Sequence, residues 1–230
     1  AIDAAPSDDL PACGERVAAD FRRMVSDGYG ELAEVWLQTL AAQNPEWSDV
    51  LAASLPAFRA QLAAYKKSVD EVERFTNAMD KNRAESVRAS TLFAKEFMAY
   101  RQGQHESLAQ QIKDGTPHSE LEARLLRVDM ADAIYAEYML VRVDFWRVQF
   151  SGDLALAKVV IERIGKIEAG LTEALKLVRQ EKNRQMLNEA MKGAVGLRGA
   201  LDEFVVLVEE NAAARADRLK AYAAVLACAD

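Results

Sequence analysis

The chain has 230 residues, half of them apolar, so it is long enough to bury a sizeable core. Its net charge of −7 argues against a nucleic-acid-binding surface, because phosphate contacts need clustered positive charge. No apolar run approaches the roughly 18 residues that cross a bilayer, and the small number of Gly and Pro residues, 11 and 5, is typical of long helices.

Two helices are predicted in the first third of the chain. The first runs from about Leu10 to Gln43, and Asn44-Pro45 then starts another helix, with Asn as the cap and Pro at the first helical position. The second helix carries a heptad stripe of Leu55, Phe58, Leu62, Tyr65, Val69, Val72 and Met79. This stripe weakens across residues 80–83, where we predict a turn.

The third predicted helix ends at Gly115-Thr116-Pro117, the strongest break in the chain. Its expected core seam is Val87, Thr91, Ala94, Met98, Arg101, His105, Leu108 and Ile112. Three members of this seam, Thr91, Arg101 and His105, are polar. Because polar side chains at core positions need partners, they are candidate ligand contacts.

A fourth helix is predicted from about His118 to Phe150 and contains the most apolar helical segment, Ile134 to Phe150. Helical spacing gathers its apolar residues into one arc: Val128, Tyr135, Tyr138, Met139, Val143, Phe145, Trp146 and Phe150. Arg142 falls in the middle of this arc. A guanidinium on a buried face needs an anionic or hydrogen-bonding partner.

Two more helices are predicted after the break at Ser151-Gly152-Asp153. The fifth has a continuous stripe of Leu156, Val160, Ile164, Ile167, Leu171 and Leu175, and we expect it to turn near residues 181–183. The sixth, from about Arg184 to Leu226, has an apolar seam that Arg198 interrupts. Glycines at 193, 196 and 199 surround that arginine and permit close approach of another backbone or of a ligand.

Two arginines in these seams suggest a binding site. If the turns are correctly placed, Arg142 and Arg198 lie within about one helical turn of the same level. With Tyr135 or Tyr138 nearby, they would form a pocket for a small carboxylate, since Arg offers planar paired donors. The alternative is that each arginine pairs with an Asp or Glu from a facing helix.

Other kinds of site have little support in the sequence. His105 and His118 fall on different predicted helices, and no zinc-binding HExxH motif or nucleophile elbow is present. We therefore expect neither an enzyme nor a bound metal or cofactor. If the helices alternate up and down and are even in number, the chain ends lie together and a disulfide between Cys13 and Cys228 becomes geometrically possible. The alternative is that both are unpaired small residues near helix ends.

The predicted fold is an elongated all-α up-down bundle of six helices forming one domain, with hairpins at about 44–114 and 154–228. Two stretches, Tyr138 to Leu175 and Leu197 to Leu226, resemble the periplasmic sensor domains of methyl-accepting chemotaxis receptors. The helical bimodular type of this family is the most similar. It implies two stacked four-helix modules that share two long helices.

This resemblance also implies a function. A domain of that kind sits in the periplasm or outside the cell between flanking membrane spans, binds a small organic acid and signals by helix displacement, and the heptad seams suit a homodimer. The alternative is a secreted or periplasmic structural bundle that binds other proteins and has no small-molecule ligand.

Overall fold

A computed structural model describes residues 19–20, 23–24, 30–43 and 45–227. From Gly30 onward the described residues form five helices: α1 (Gly30–Gln43), α2 (Pro45–Lys113), α3 (His118–Ser151), α4 (Leu154–Leu177) and α5 (Glu181–Ala227). The predicted all-α class is confirmed. None of the described helices is long and apolar enough to cross a membrane. Cys13 and Cys228 lie outside the described residues, as does most of the predicted first helix before Gly30.

The predicted breaks after the third and fourth helices are confirmed, and both depend on glycine. Gly115 has φ 67° and Gly152 has φ 68°, in the left-handed region that other residues rarely adopt. Asp153 then caps α4, because its carboxylate accepts hydrogen bonds from the backbone N–H groups of Ala155 and Leu156 at 2.9 and 3.0 Å. Local sequence therefore places these breaks.

The predicted turn at residues 80–83 is wrong, since α2 continues through it as one helix of 69 residues. Asn82 is 1% exposed, and its side-chain amide donates to the carbonyl of Ala200 at 2.8 Å and to Glu203 at 2.9 Å. A polar residue that resembled a turn signal is thus a buried contact to α5. The hairpin predicted at 44–114 is this single helix, and α5 begins at Glu181, three residues before the predicted Arg184.

The chain divides into two compact units. The first comprises the residues up to Phe75 and those from Asn211 onward. Its described core consists of Ala33, Phe58, Leu62 and Val225, and part of the second predicted helix stripe is therefore buried there. The second unit comprises Thr76–Glu210. Helices α2 and α5 contribute to both units.

The second unit is an antiparallel four-helix bundle. Its helices α2, α3, α4 and α5 form a ring, in which each helix packs against the next one in the chain and α5 packs against α2. One side-chain contact illustrates each side of the ring: Phe93–Tyr138 for α2–α3, Glu137–Arg163 for α3–α4, Glu168–Arg198 for α4–α5 and Asn82–Ala200 for α5–α2. The buried residues of all four helices form one core. In α4 the buried residues include the predicted Val160, Ile164, Ile167 and Leu171.

The buried face of α2 differs from the predicted seam. Phe93, Phe97 and Tyr100 are at most 1% exposed, whereas the predicted core residues Val87 and Met98 are 55% and 49% exposed. Both sets repeat at helical spacing, and the bulkier aromatic residues occupy the core because they bury more apolar area. The helix is thereby rotated by about one residue step relative to the prediction.

A similar correction applies to α3. Its buried residues are Val128, Ala131, Ile134, Tyr138, Val141, Phe145 and Val148. The predicted arc shares Val128, Tyr138 and Phe145 with this face but extends to one side of it, so Trp146 and Phe150 are 67% and 95% exposed. Arg142 is exposed as well, and the expectation that its guanidinium is buried is wrong.

Gly193 allows α5 to approach the backbone of α2. A methyl group added at Gly193 would lie 2.7 Å from the backbone nitrogen of Phe93 and 2.9 Å from the carbonyl oxygen of Ala89. By contrast, a methyl group added at Gly199 would meet nothing within 4 Å. The sequence left open whether a backbone or a ligand approaches Gly193, and the structure shows that it is the backbone of α2.

We predict that Gly193→Ala destabilises the protein by about 1–3 kcal/mol, because backbone atoms cannot move aside as a flexible side chain can. The matched control Gly199→Ala should stabilise it by up to about 1 kcal/mol through helix propensity. Urea unfolding followed by circular dichroism measures both. Equal effects of the two substitutions would contradict the close α2–α5 approach.

Candidate functional site

An open groove runs along the surface between α2 and α3. Its volume is about 320 Å³, and it is lined by Ser90, Thr91, Ala94, Lys95, Met98, Tyr138 and Arg142. Three of these, Thr91, Tyr138 and Arg142, are residues that the sequence singled out. The groove therefore unites part of the predicted site, although with different neighbours.

Tyr138 forms the fixed floor of the groove. It is 2% exposed, its ring centre lies 4.4 Å from that of Phe93, and its hydroxyl donates to the carbonyl of Ser90 at 3.0 Å. The Ser90 hydroxyl lies 2.9 Å from the hydroxyl oxygen of Tyr138. Burial raises the pKa of Tyr138 above its usual value, so the phenol is neutral at physiological pH.

Arg142 lies at the rim of the groove with its charge unmatched. Its guanidinium carbon is 6.0 Å from the ring centre of Tyr138, and among the described residues no carboxylate forms an ion pair with it. Lys95 lines the groove from α2 and lies 3.0 Å from the carboxylate of Glu96. Two cations thus border the groove, one from each helix.

Three other predicted residues, Arg101, His105 and Tyr135, cluster around an acid of the protein. The carboxylate of Asp132 accepts a hydrogen bond from Arg101 Nε at 2.5 Å and lies 3.0 Å from His105 Nε2. The Arg101 guanidinium also stacks 4.6 Å from the ring centre of Tyr135. Asp132 therefore occupies the position that we had expected a ligand carboxylate to take.

The charges around Asp132 affect its ionisation. Burial by itself would raise its pKa, but the hydrogen bonds from His105 and Arg101 and their positive charges lower the pKa on balance. The cluster joins α2 to α3, since Arg101 and His105 lie on one helix and Asp132 on the other. It is an interhelix link that depends on an ionised carboxylate.

Arg198 lies elsewhere in the second unit. Its guanidinium donates two hydrogen bonds to the carboxylate of Glu168 on α4, at 2.9 and 2.5 Å, and this contact raises the pKa of Arg198. It therefore sits between α4 and α5, whereas Arg142 lies between α2 and α3. These are opposite sides of the four-helix ring, so the predicted convergence of Arg142 and Arg198 is wrong. For Arg198 the structure shows the other possibility that the sequence allowed, an ion pair with an acid from a facing helix.

Sequence reasoning missed Ser90 and Lys95 in the groove, and it missed Arg124 and Arg127 near the start of α3. Lys95 resembled an ordinary solvated residue. Ser90 was missed because the core seam of α2 was predicted about one residue step away from the face that is actually buried. Knowing the aromatic seam of Phe93 would have pointed to Ser90, three residues earlier on the same helix.

No cluster of three or more His, Cys, Asp or Glu side chains that could hold a metal ion occurs among the described residues. Comparison of the chain with protein-family models, curated proteins and solved structures finds no match. The chemistry of the groove is therefore what points to a function.

We predict that the link at Asp132 contributes stability that is complete above the ordinary carboxyl pKa of about 3.9 and is lost as the pH falls through the lower folded-state pKa. Asp132→Asn should therefore destabilise the protein more at neutral pH than at about pH 3. Urea unfolding across this pH range measures the difference.

Asp129→Asn provides the control, because Asp129 is an exposed acid on the same helix and its substitution removes the same charge. It should leave the pH dependence close to that of the wild type. Parallel stability curves for Asp132→Asn and the wild type would contradict the prediction.

Proposed function

We propose that the groove between α2 and α3 binds a small carboxylate, and that the chain is the ligand-binding part of a sensory domain outside the cytoplasm. The observation that carries this proposal is the unmatched guanidinium of Arg142 at the rim of the groove. An arginine exposes five N–H donors in a planar fork that fits a carboxylate.

Three other arginines of the same helical ring are already neutralised. Arg147 lies 3.2 Å from Asp144, Arg163 lies 3.1 Å from Glu137, and Arg198 holds both oxygens of its glutamate. Arg142 differs from all three in having no acid beside it among the described residues. This contrast supports a role for Arg142 toward an external anion.

The lining of the groove suggests the class of ligand. The hydroxyls of Tyr138 and Thr91 already donate to the backbone carbonyls of Ser90 and Val87, so recognition of an anion falls to Arg142, with Lys95 as a second cation that is already paired with Glu96. The wall between these cations includes the apolar side chains of Ala94 and Met98. A small carboxylate with a short apolar body suits this combination.

Such a ligand would link two helices, since Lys95 belongs to α2 and Arg142 to α3. Binding would favour one relative position of these helices, and in the proposed sensor that small displacement passes to flanking segments. The bimodular architecture, the periplasmic or extracellular location, the flanking membrane spans and the homodimer belong to the same proposal. The contribution of α2 and α5 to both compact units supports its bimodular part.

We predict saturable binding of a short-chain carboxylate in isothermal titration against a panel of mono-, di- and tricarboxylates. Arg142→Ala should weaken this binding about ten- to a hundredfold, because a charge-assisted hydrogen bond contributes roughly 1.5–3 kcal/mol. The fold should be little affected, since the exposed guanidinium has no ion pair or hydrogen bond to lose among the described residues, only its contact with the Tyr138 ring.

Arg147→Ala is the matched control, because this exposed arginine lies on the same helix and is satisfied by Asp144. It should leave the affinity unchanged. Absence of binding at millimolar carboxylate, or equal affinity in Arg142→Ala and wild-type protein, would reject the groove as the site.

An exposed apolar face on α3 favours a second candidate function, the protein-interaction bundle. Met139, Val143, Trp146 and Phe150 repeat at helical spacing and are 38%, 56%, 67% and 95% exposed. Exposed apolar surface of this extent is typical of interaction sites. Since the heptad seams suit self-association, a second copy of the chain is the partner that we propose for this face.

We predict a concentration-dependent dimer in sedimentation velocity and at least a tenfold loss of dimer affinity in Trp146→Glu, since burying a charge at the interface is costly. Leu126→Glu is the control, because Leu126 is 56% exposed and lies on the opposite side of α3. A wild-type chain that stays monomeric at every concentration, or equal effects of both substitutions, would reject this interface.

A further inference from the structure

A second group of polar residues lies near the end of α2, away from the groove. Tyr100, Gln104 and Gln111 occur on α2 at intervals of four and seven residues, which places them on one helix face toward α3. Tyr100 and Gln104 are 1% and 2% exposed. On α3, Arg124 and Arg127 are half-buried, and their spacing of three residues places them on one face of that helix.

The two glutamines hold the guanidinium of Arg124 in place. Its Nε donates to the side-chain oxygen of Gln111 at 2.9 Å, and its Nη1 donates to that of Gln104 at 2.8 Å. A guanidinium that is fixed by two partners loses little further freedom when it binds a ligand. Since two of its five N–H donors are used, three remain.

The positive charge at this position is not neutralised. Both partners of Arg124 are neutral amides, and among the described residues Arg127 has neither an ion pair nor a hydrogen bond. Burial and the repulsion from Arg127 lower the pKa of Arg124. By contrast, Arg101, close by on α2, meets the carboxylate of Asp132.

The buried hydroxyl of Tyr100 adds a potential donor. Tyr100 lies one helical turn before Gln104, which accepts a hydrogen bond from Arg124, on the same face of α2. Burial raises the pKa of this phenol, and the charges of Arg127 and Arg124 act in the opposite direction. The phenol therefore remains protonated at neutral pH, and it lies on the same stretch of the α2–α3 contact as the guanidinium of Arg124.

We propose that Arg124, Arg127 and Tyr100 form a binding site for a small doubly charged oxyanion, separate from the groove. Two adjacent guanidiniums without an acid match the charge of inorganic phosphate or of a short dicarboxylate, and both ligands present the oxygen pairs that Arg binds with two donors. The site lies on described elements that already form one side of the helical ring. It depends on neither Arg142 nor the proposed function of the groove.

Isothermal titration with inorganic phosphate and, separately, with succinate tests the proposal, in a buffer free of both anions. We expect saturable binding of at least one of them to the wild-type chain. Arg127→Gln should weaken this binding roughly tenfold or more. It leaves the contacts of Arg124 with Gln104 and Gln111 intact, so folding should persist.

Lys192→Gln is the matched control, because it removes the same charge from an exposed residue of α5 that pairs with Glu189. It should bind the anion as the wild type does. Tyr100→Phe provides a second test and should lower the affinity through the loss of one donor.

Several outcomes would overturn the proposal. They are the absence of saturable binding of both anions, equal affinity in Arg127→Gln and wild-type protein, and equal losses in Arg127→Gln and Lys192→Gln. Loss of phosphate binding in Arg142→Ala, with wild-type affinity for phosphate in Arg127→Gln, would assign the anion to the groove and reject the second site. Failure of the groove to bind carboxylates leaves this test unaffected.

Discussion

The close contact of α5 with α2 at Gly193 is the constraint on which the arrangement of the second unit depends. Because only a hydrogen atom separates the α5 backbone from Ala89 and Phe93, α2 can present only one face to the core. This face carries Phe93, Phe97 and Tyr100. The rotation of α2 then places Thr91 and Lys95 at the edge that meets α3, where the groove forms.

The same packing divides the cations of the second unit into two classes. Arg101 and Arg198 meet acids from facing helices and serve as interhelix links. Arg142, Arg124 and Arg127 meet no carboxylate among the described residues, although they lie beside ordered phenol or amide groups. Since ion-paired arginines have little capacity left for a ligand, the proposed anion sites belong to the second class.

Sequence reasoning predicted the features that local chemistry determines. Gly115 and Gly152 end helices because they adopt a left-handed backbone conformation, and Asp153 starts one because its carboxylate caps the first turn. It failed at Asn82, where a polar residue resembles a turn signal but is buried against α5 through the carbonyl of Ala200. Nothing within a few residues of Asn82 indicates a partner more than a hundred positions away.

The candidate site likewise combines features that the local sequence determines with features that depend on helix packing. By itself the sequence determined the all-α class and most helix ends, because composition, glycine and capping residues act locally, and it supplied three residues of the groove, Thr91, Tyr138 and Arg142. Only the tertiary structure decided that Arg142 faces a groove while Arg198 pairs with Glu168. The sequence does not distinguish the roles of two arginines that lie in similar apolar seams. Their roles depend on the rotation of their helices and on the neighbouring helices, because a charge is neutralised by the group that lies opposite it in space.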